Sequence, residues 1–190
     1  MKRLLALIAL AGAFALVSAQ NKDEREGAGG IIFGPGFSFA LGAPKEWIFD
    51  TELATAIGAR AVMYPAGTEL ATTDVIIYAN AFPLEGKSVN AWLTGDIEKL
   101  KKDFPGVSIT EEKNLMTADS LIAIVRGFAP AQSSYPNYER TAYIMIGTNV
   151  AVISLSAQSS EAFKKSVSAF EYVVTGFRNI GKELLLQGEK

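Results

Sequence analysis

Residues 140–146 and 150–157 are two apolar runs separated only by Gly147, Thr148 and Asn149. A short glycine-containing link between strand-like runs marks a β-hairpin, whose strands pair antiparallel. Similar runs occur along the chain. Residues 37–41 alternate bulky and small side chains, 60–64 end at Pro65-Ala66-Gly67, and 74–81 end near Pro83. Further strand signals lie at 107–110 and 119–128, while 51–58 fit either a strand or a short helical turn.

Helical periodicity appears in two places. Val89, Trp92, Leu93, Ile97, Leu100 and Phe104 recur at three- and four-residue steps and form one apolar stripe. Ser88 is the expected N-cap, and Lys99, Lys101 and Lys102 sit where cations suit the helix C-terminus. Gly95 weakens this helix by about 1 kcal/mol relative to Ala, and Pro105 and Gly106 stop it. Ser159 or Ser160 caps the second helix, with Glu161 in its first turn. Phe163, Val167, Phe170, Val174 and Phe177 form its buried stripe, and Gly181 is the expected stop. The order β-β-β-α-β-β-β-β-α predicts an α+β domain, a mostly antiparallel sheet packed by two main helices. The alternating βα units of a nucleotide-binding sheet are missing.

Composition then narrows the chemistry. The 190 residues include no His and no Cys. Zinc sites, Cys nucleophiles, His-based triads, haem attachment and disulfides therefore lack their residue types, so no metal and no cofactor is expected. With 18 Lys+Arg against 20 Asp+Glu, the chain also lacks the basic excess of a nucleic-acid binder.

The chain divides into four segments. Residues 1–19 read as a secretory signal peptide: Lys2 and Arg3 precede the apolar run 4–17, and Val17-Ser18-Ala19 precedes a cut before Gln20. That run is shorter than the roughly 20 residues a membrane span needs, so no stable membrane insertion is expected after cleavage. A Cys after the cut would allow a lipid anchor, and Gln20 stands there instead. The expectation is an exported protein, periplasmic or secreted. Residues 20–30 read as a flexible spacer, 31–181 as the domain, and 182–190 as a C-terminal tail whose leucines at 184–186 fray or pack back on it.

Several local features resemble one superfamily. FSFALGAPKEW at 37–47 places a strand before Pro44 and Trp47. YPAG follows at 64–67, DVIIYA at 74–79, a Ser-led helix, VAVISLSA at 150–157 and SAFEYVVTGFR at 168–178. Over about 35–180 this is similar to the PsbP-like α/β/α sandwich, which includes photosystem II PsbP, periplasmic DcrB-type proteins and a Ran-binding import factor. The resemblance implies an accessory or binding domain without known catalysis. Two departures stand out. Photosystem members are linked to ion retention partly through His, which this chain lacks, and DcrB-type proteins use an anchor Cys that is missing here.

Candidate functional residues are few. Asp50 and Glu52 beside Trp47 fit either a carboxylate pair for glycoside hydrolysis or a solvated turn with Asp50 accepting backbone N–H groups. GAGG at 27–30 and GPG at 34–36 do not continue into Gly-Lys-Ser/Thr, and no G-x-S-x-G elbow occurs around Ser38 or elsewhere. Arg126 fits an anion ligand at a strand end or a cation on a solvated face. The loop 129–138 is long for a hairpin and carries Tyr135, Pro136 and Tyr138, residue types suited to a partner contact.

Three functions follow. The first is a non-catalytic accessory domain binding an exported protein through Tyr135, Pro136 and Tyr138. The second is a small-ligand carrier with Trp92, Phe128 and Arg126 lining a pocket between sheet and helix. The third is a carboxylate-dependent hydrolase around Asp50.

Overall fold

The computed structural model describes residues 27–181. The segments read as signal peptide and tail, and most of the spacer, lie outside the described residues. Among the described residues eleven strands and three helices follow one another. They are β1 (Gly29–Gly34), β2 (Phe37–Gly42), β3 (Trp47–Asp50), α1 (Glu52–Ala56), β4 (Ala61–Pro65), β5 (Val75–Pro83), α2 (Val89–Asp103), β6 (Ser108–Glu111), β7 (Leu115–Met116), β8 (Ile122–Ala129), β9 (Tyr138–Ile146), β10 (Asn149–Ala157), α3 (Ser160–Gly176) and β11 (Arg178–Asn179).

The expected hairpin forms the middle of a large sheet. β9 and β10 pair antiparallel from Asn149↔Ile146 to Ala157↔Tyr138, with Gly147 at φ 62 in the turn. The sheet runs β3-β4-β5-β10-β9-β8-β6, with β7 also on β8, and every pairing is antiparallel. All nine residues of β10 are buried, so both faces are covered. On one face Met63, Ile77, Ala142, Ile144, Ala151, Ile153 and Leu155 pack against Phe170, Val173 and Val174 of α3 and against Ile32, Phe39 and Leu41. These last three belong to a second sheet, β1-β2-β11. The opposite face carries α1 over Ile48, Val62, Tyr64 and Ile76, and α2 over Tyr143, Val150 and Val152. The result is the α+β sandwich that the element order predicts.

The helix starts follow their caps. The Ala91 N–H donates to Ser88 Oγ at 3.2 Å, and the Ala162 N–H donates to Ser159 Oγ at 3.1 Å. Each bond satisfies one of the first-turn donors that a helix leaves open. The Lys165 ammonium, hydrogen-bonded to Glu161 at 2.8 Å, holds that carboxyl below its ordinary value.

Two expectations are corrected and one open alternative is settled. The spacer reading of 20–30 fails at its end, because β1 begins at Gly29 and pairs with β2. The second helix stops at Gly176 rather than Gly181. Its stripe residue Phe177 turns into the core, fully buried and stacked on Phe39 at 5.1 Å, and the chain leaves as β11 beside β2. The ambiguous 51–58 forms α1 after an unexpected strand β3.

One charged group lies under α3. Arg140 is 8% exposed, its guanidinium 5.3 Å from the Phe170 ring centroid. It pairs with Glu171 Oε1 at 2.7 Å and Glu112 Oε2 at 2.6 Å. Gly127, opposite Arg140 across the β8–β9 ladder, leaves room for this pair. A Cβ there would stand 2.5 Å from both Glu112 Oε1 and Thr110 Oγ1. The two carboxylates are 27% and 44% exposed and can turn to water, whereas the guanidinium cannot. Removing the acids therefore costs more than removing the cation. Glu112→Gln with Glu171→Gln should lower stability by about 3 kcal/mol, and Arg140→Met by clearly less; urea unfolding midpoints check the order.

Candidate functional site

The α2-bearing face of the large sheet gathers most of the residues singled out in the sequence. Strand alternation puts Ile124, Arg126 and Phe128 of β8 on this face, beside Glu139, Thr141 and Tyr143 of β9. Trp92 of α2 is buried between Phe82 and Tyr143, its ring centroid 5.8 and 6.3 Å from theirs. Phe128 is 4% exposed and meets Tyr135 at 6.5 Å. Arg126 Nη1 donates to the Val125 carbonyl at 2.8 Å, and its Nη2 pairs with Glu111 at 3.1 Å. The structure thus brings Trp92, Phe128 and Arg126 to one face.

Tyr135 joins that face from the loop. The Ser133 N–H and Oγ both bond the Pro130 carbonyl, and the Tyr135 N–H donates to Ser133 Oγ at 3.1 Å. This turn aims the ring inward. Tyr135 is 3% exposed, edge-on to Phe104 at 5.3 Å, and its hydroxyl bonds Glu139 Oε2. The same carboxylate accepts from Ser156 Oγ at 2.8 Å, and Ser156 Oγ accepts from Asn137 Nδ2 at 2.9 Å. Thr141 and Ser154 share a further hydroxyl bond at 2.9 Å. The loop is therefore fastened to the sheet by a chain of internal hydrogen bonds.

That geometry divides the tyrosines. Tyr138 is half-buried on the opposite face, 6.4 Å from Phe163 of α3, and Pro136 is exposed between the two. The three loop residues do not form one surface, and the Tyr135 ring is turned away from solvent. Asp50 is also placed. It is 3% exposed, and its Oδ1 accepts the Leu53 N–H at 2.8 Å at the start of α1. This is the backbone-accepting role, in a buried rather than a solvated turn. The carboxylate of Asp50 thus serves the helix start.

The surface offers a different feature, which the spacer reading obscured. β1 presents Ile31 at 58% and Phe33 at 74% exposure, while Ile32 between them is buried. Gly30 and Gly34 let the inner side lie flat on rings: a Cβ at either would come within 2.6 Å of Phe49 or Phe37. Phe33 lies beside Arg60, whose Nη1 is 3.5 Å from the Phe33 carbonyl and whose guanidinium covers the Phe37 ring at 5.0 Å. On the same side of β2, Ser38 is buried and Ala40 half-buried, both uncharged, and Arg178 of β11 lies opposite Ala40. Two apolar runs, IIF and FSF, flanking Gly34, Pro35 and Gly36 carried a hairpin signal that points to this strand. A second exposed apolar group, Met116, Ile122 and Met145, lies on β7, β8 and β9. Among the described residues no group of His, Cys, Asp and Glu is arranged to hold a metal ion, and no helix is long and apolar enough to cross a membrane.

No family model and no curated protein matches this chain. Among solved structures it is similar to the solution structure of cyanobacterial PsbP (CyanoP) from Synechocystis sp. PCC 6803. The TM-score is 0.47 and the identity 9%, covering 90% of this chain and 98% of that one. It is also similar to the crystal structure of PA94, a protein of unknown function from Pseudomonas aeruginosa, with TM-score 0.35 and 12% identity, covering 74% and 94%.

Tyr135 is predicted to act on stability. Truncating a buried ring in contact with Phe104 and Phe128 costs about 3–5 kcal/mol, so Tyr135→Ala should lower the thermal midpoint by many degrees. Pro136→Ala, at an exposed position, should leave it nearly unchanged. Thermal melts followed by circular dichroism compare the two.

Proposed function

We propose that this chain is an exported, non-catalytic accessory domain that works by holding another protein, and that its contact surface is the outer face of β1. The observation that carries this reading is the pair Ile31 and Phe33. Single exposed apolar residues are ordinary on protein surfaces. Here two large ones stand one residue apart on the same side of a strand, with only uncharged neighbours across the ladder. Arginines border the patch at Arg60 and Arg178, the composition expected of an apolar contact with a cationic rim.

The strand is also rigidly backed. Ile32 and the ring contacts at Gly30 and Gly34 fix β1 against the core, so little ordering entropy opposes a contact there. The carrier alternative has less support, because Trp92 and Phe128 are already packed on Phe82, Tyr143 and Tyr135. The hydrolase alternative has less again, since Asp50 is occupied by a helix N–H.

The test is crosslinking and affinity capture of the tagged full chain from the envelope and medium of its native cell. Ile31→Ser with Phe33→Ser should reduce recovery of the specific partner at least about tenfold while leaving the thermal midpoint within a few degrees, because both side chains are exposed. Equal recovery by a folded variant rejects this surface.

A further inference from the structure

The backbone of β1 adds a second kind of recognition to its side chains. The Ala43 N–H donates to the Ala28 carbonyl at 2.8 Å, which sets the phase of the β1–β2 ladder. With the register Gly29↔Gly42 to Gly34↔Phe37, the residues bonded to β2 are Gly30, Ile32 and Gly34. In an antiparallel pair the alternate residues direct their N–H and C=O groups the other way. Gly29, Ile31 and Phe33 therefore aim their backbone groups at the outer edge of β1. Among the described residues, β1 pairs with β2 alone.

The outer edge is engaged at both ends, where the Gly27 N–H donates to the Trp47 carbonyl at 2.9 Å and Arg60 Nη1 donates to the Phe33 carbonyl at 3.5 Å, while the stretch between them carries none of the usual devices that blunt a sheet edge. GGIIFG holds no charge, no Pro and no inward-pointing polar side chain, and its register runs without a bulge. An uncharged, apolar edge without a bulge is a template for another strand. Two of the residues with outward backbone groups, Ile31 and Phe33, also carry solvent-facing side chains, so one added strand would meet both the hydrogen bonds and the apolar face.

The size of the patch decides between occupants. With about 200 Å² for a large apolar side chain, Ile31 and Phe33 expose roughly 250 Å² together. Two copies joined edge to edge would bury about twice that, well below the 1,200–2,000 Å² typical of stable pairs. A single extended segment that draws its affinity from main-chain bonds does not need that area. Charge adds a further selection, because Arg60 stands at the Phe33 end of the strand.

We propose that β1 takes its partner by strand addition: an extended segment with alternating apolar side chains pairs with the outer edge at Gly29, Ile31 and the Phe33 N–H, and carries a carboxylate toward the Arg60 guanidinium that holds the Phe33 carbonyl. This rests on the contact reading above and deepens it from a face to an edge.

The probe is a capped peptide of alternating Val and Thr ending in Glu, added to the full chain. Its control is the same peptide N-methylated at alternate residues, which keeps the side chains and removes one line of donors. Amide exchange at Ile31 and Phe33 should slow about tenfold with the first peptide and stay unchanged with the second. Ile31→Pro removes an outward N–H without touching the β2 ladder, and should weaken binding of the first peptide by a similar factor. If both peptides bind equally and Ile31→Pro has no effect, strand addition is overturned, while loss of partner capture in the Ile31→Ser, Phe33→Ser variant would still uphold the face. Two further outcomes also overturn the proposal. One is a dimer in sedimentation that Ile31→Pro dissolves, which makes a second copy the occupant. The other is protection of Ile31 and Phe33 without any probe that disappears when residues 1–26 or 182–190 are removed, which makes the occupant this chain itself.

Discussion

The complete burial of β10 is the constraint on which the rest of the structure depends. A central strand with nine buried residues must be covered on both faces, and its polar backbone must be paired on both edges. β9 and β5 supply the edges along its whole length. One face is closed by α3 with the small sheet, the other by α1 and α2. Alanines at 61, 79, 123, 142 and 151 keep the inner surface of the large sheet low. That leaves depth for Phe39, Phe170 and Phe177 from the covering layer, and native packing density follows from this exchange of small against large.

Burial on both faces also explains where the polar residues went. A polar side chain under a helix must find partners, because an unsatisfied one costs 1–3 kcal/mol or more. Arg140 meets two carboxylates and a ring under α3. Glu139 collects hydroxyls from Tyr135 and Ser156 under the loop, and Thr141 and Ser154 satisfy each other. These groups are committed to holding the layers in register. The aromatic and charged residues that looked most suited to recognition are, for the same reason, mostly turned inward. Solvent is left with the outer face of β1 and with Met116, Ile122 and Met145 on β7, β8 and β9.

Much of the fold was legible in the chain. The hairpin at Gly147, the stripes of α2 and α3, and the caps at Ser88 and Ser159 all follow from local periodicity and turn chemistry, which act within a few residues. What was not legible depends on distant partners. β3 is four residues long and uniformly buried, so it shows no alternation to read. β11 exists because Phe177 is drawn onto Phe39, a contact far apart in sequence. β1 resembles a glycine-rich spacer until the rings of Phe37 and Phe49 are placed beneath Gly34 and Gly30. The candidate site suffered most from this. An exposed tyrosine and a buried one have the same sequence context, and only the Ser133 turn and the Glu139 carboxylate decide which Tyr135 is.

The sequence by itself determined the α+β class, the antiparallel pairing at the centre, the helix starts and the absence of His- and Cys-based chemistry, because each depends on residue type or on spacing along the chain. The tertiary structure decided which apolar residues are core and which are surface. Burial is a property of what lies opposite a side chain, and that is set by strands and helices brought together from the whole length of the chain. Ile32 and Phe33 are neighbours of similar character, yet the pleat turns one onto the core and the other toward water.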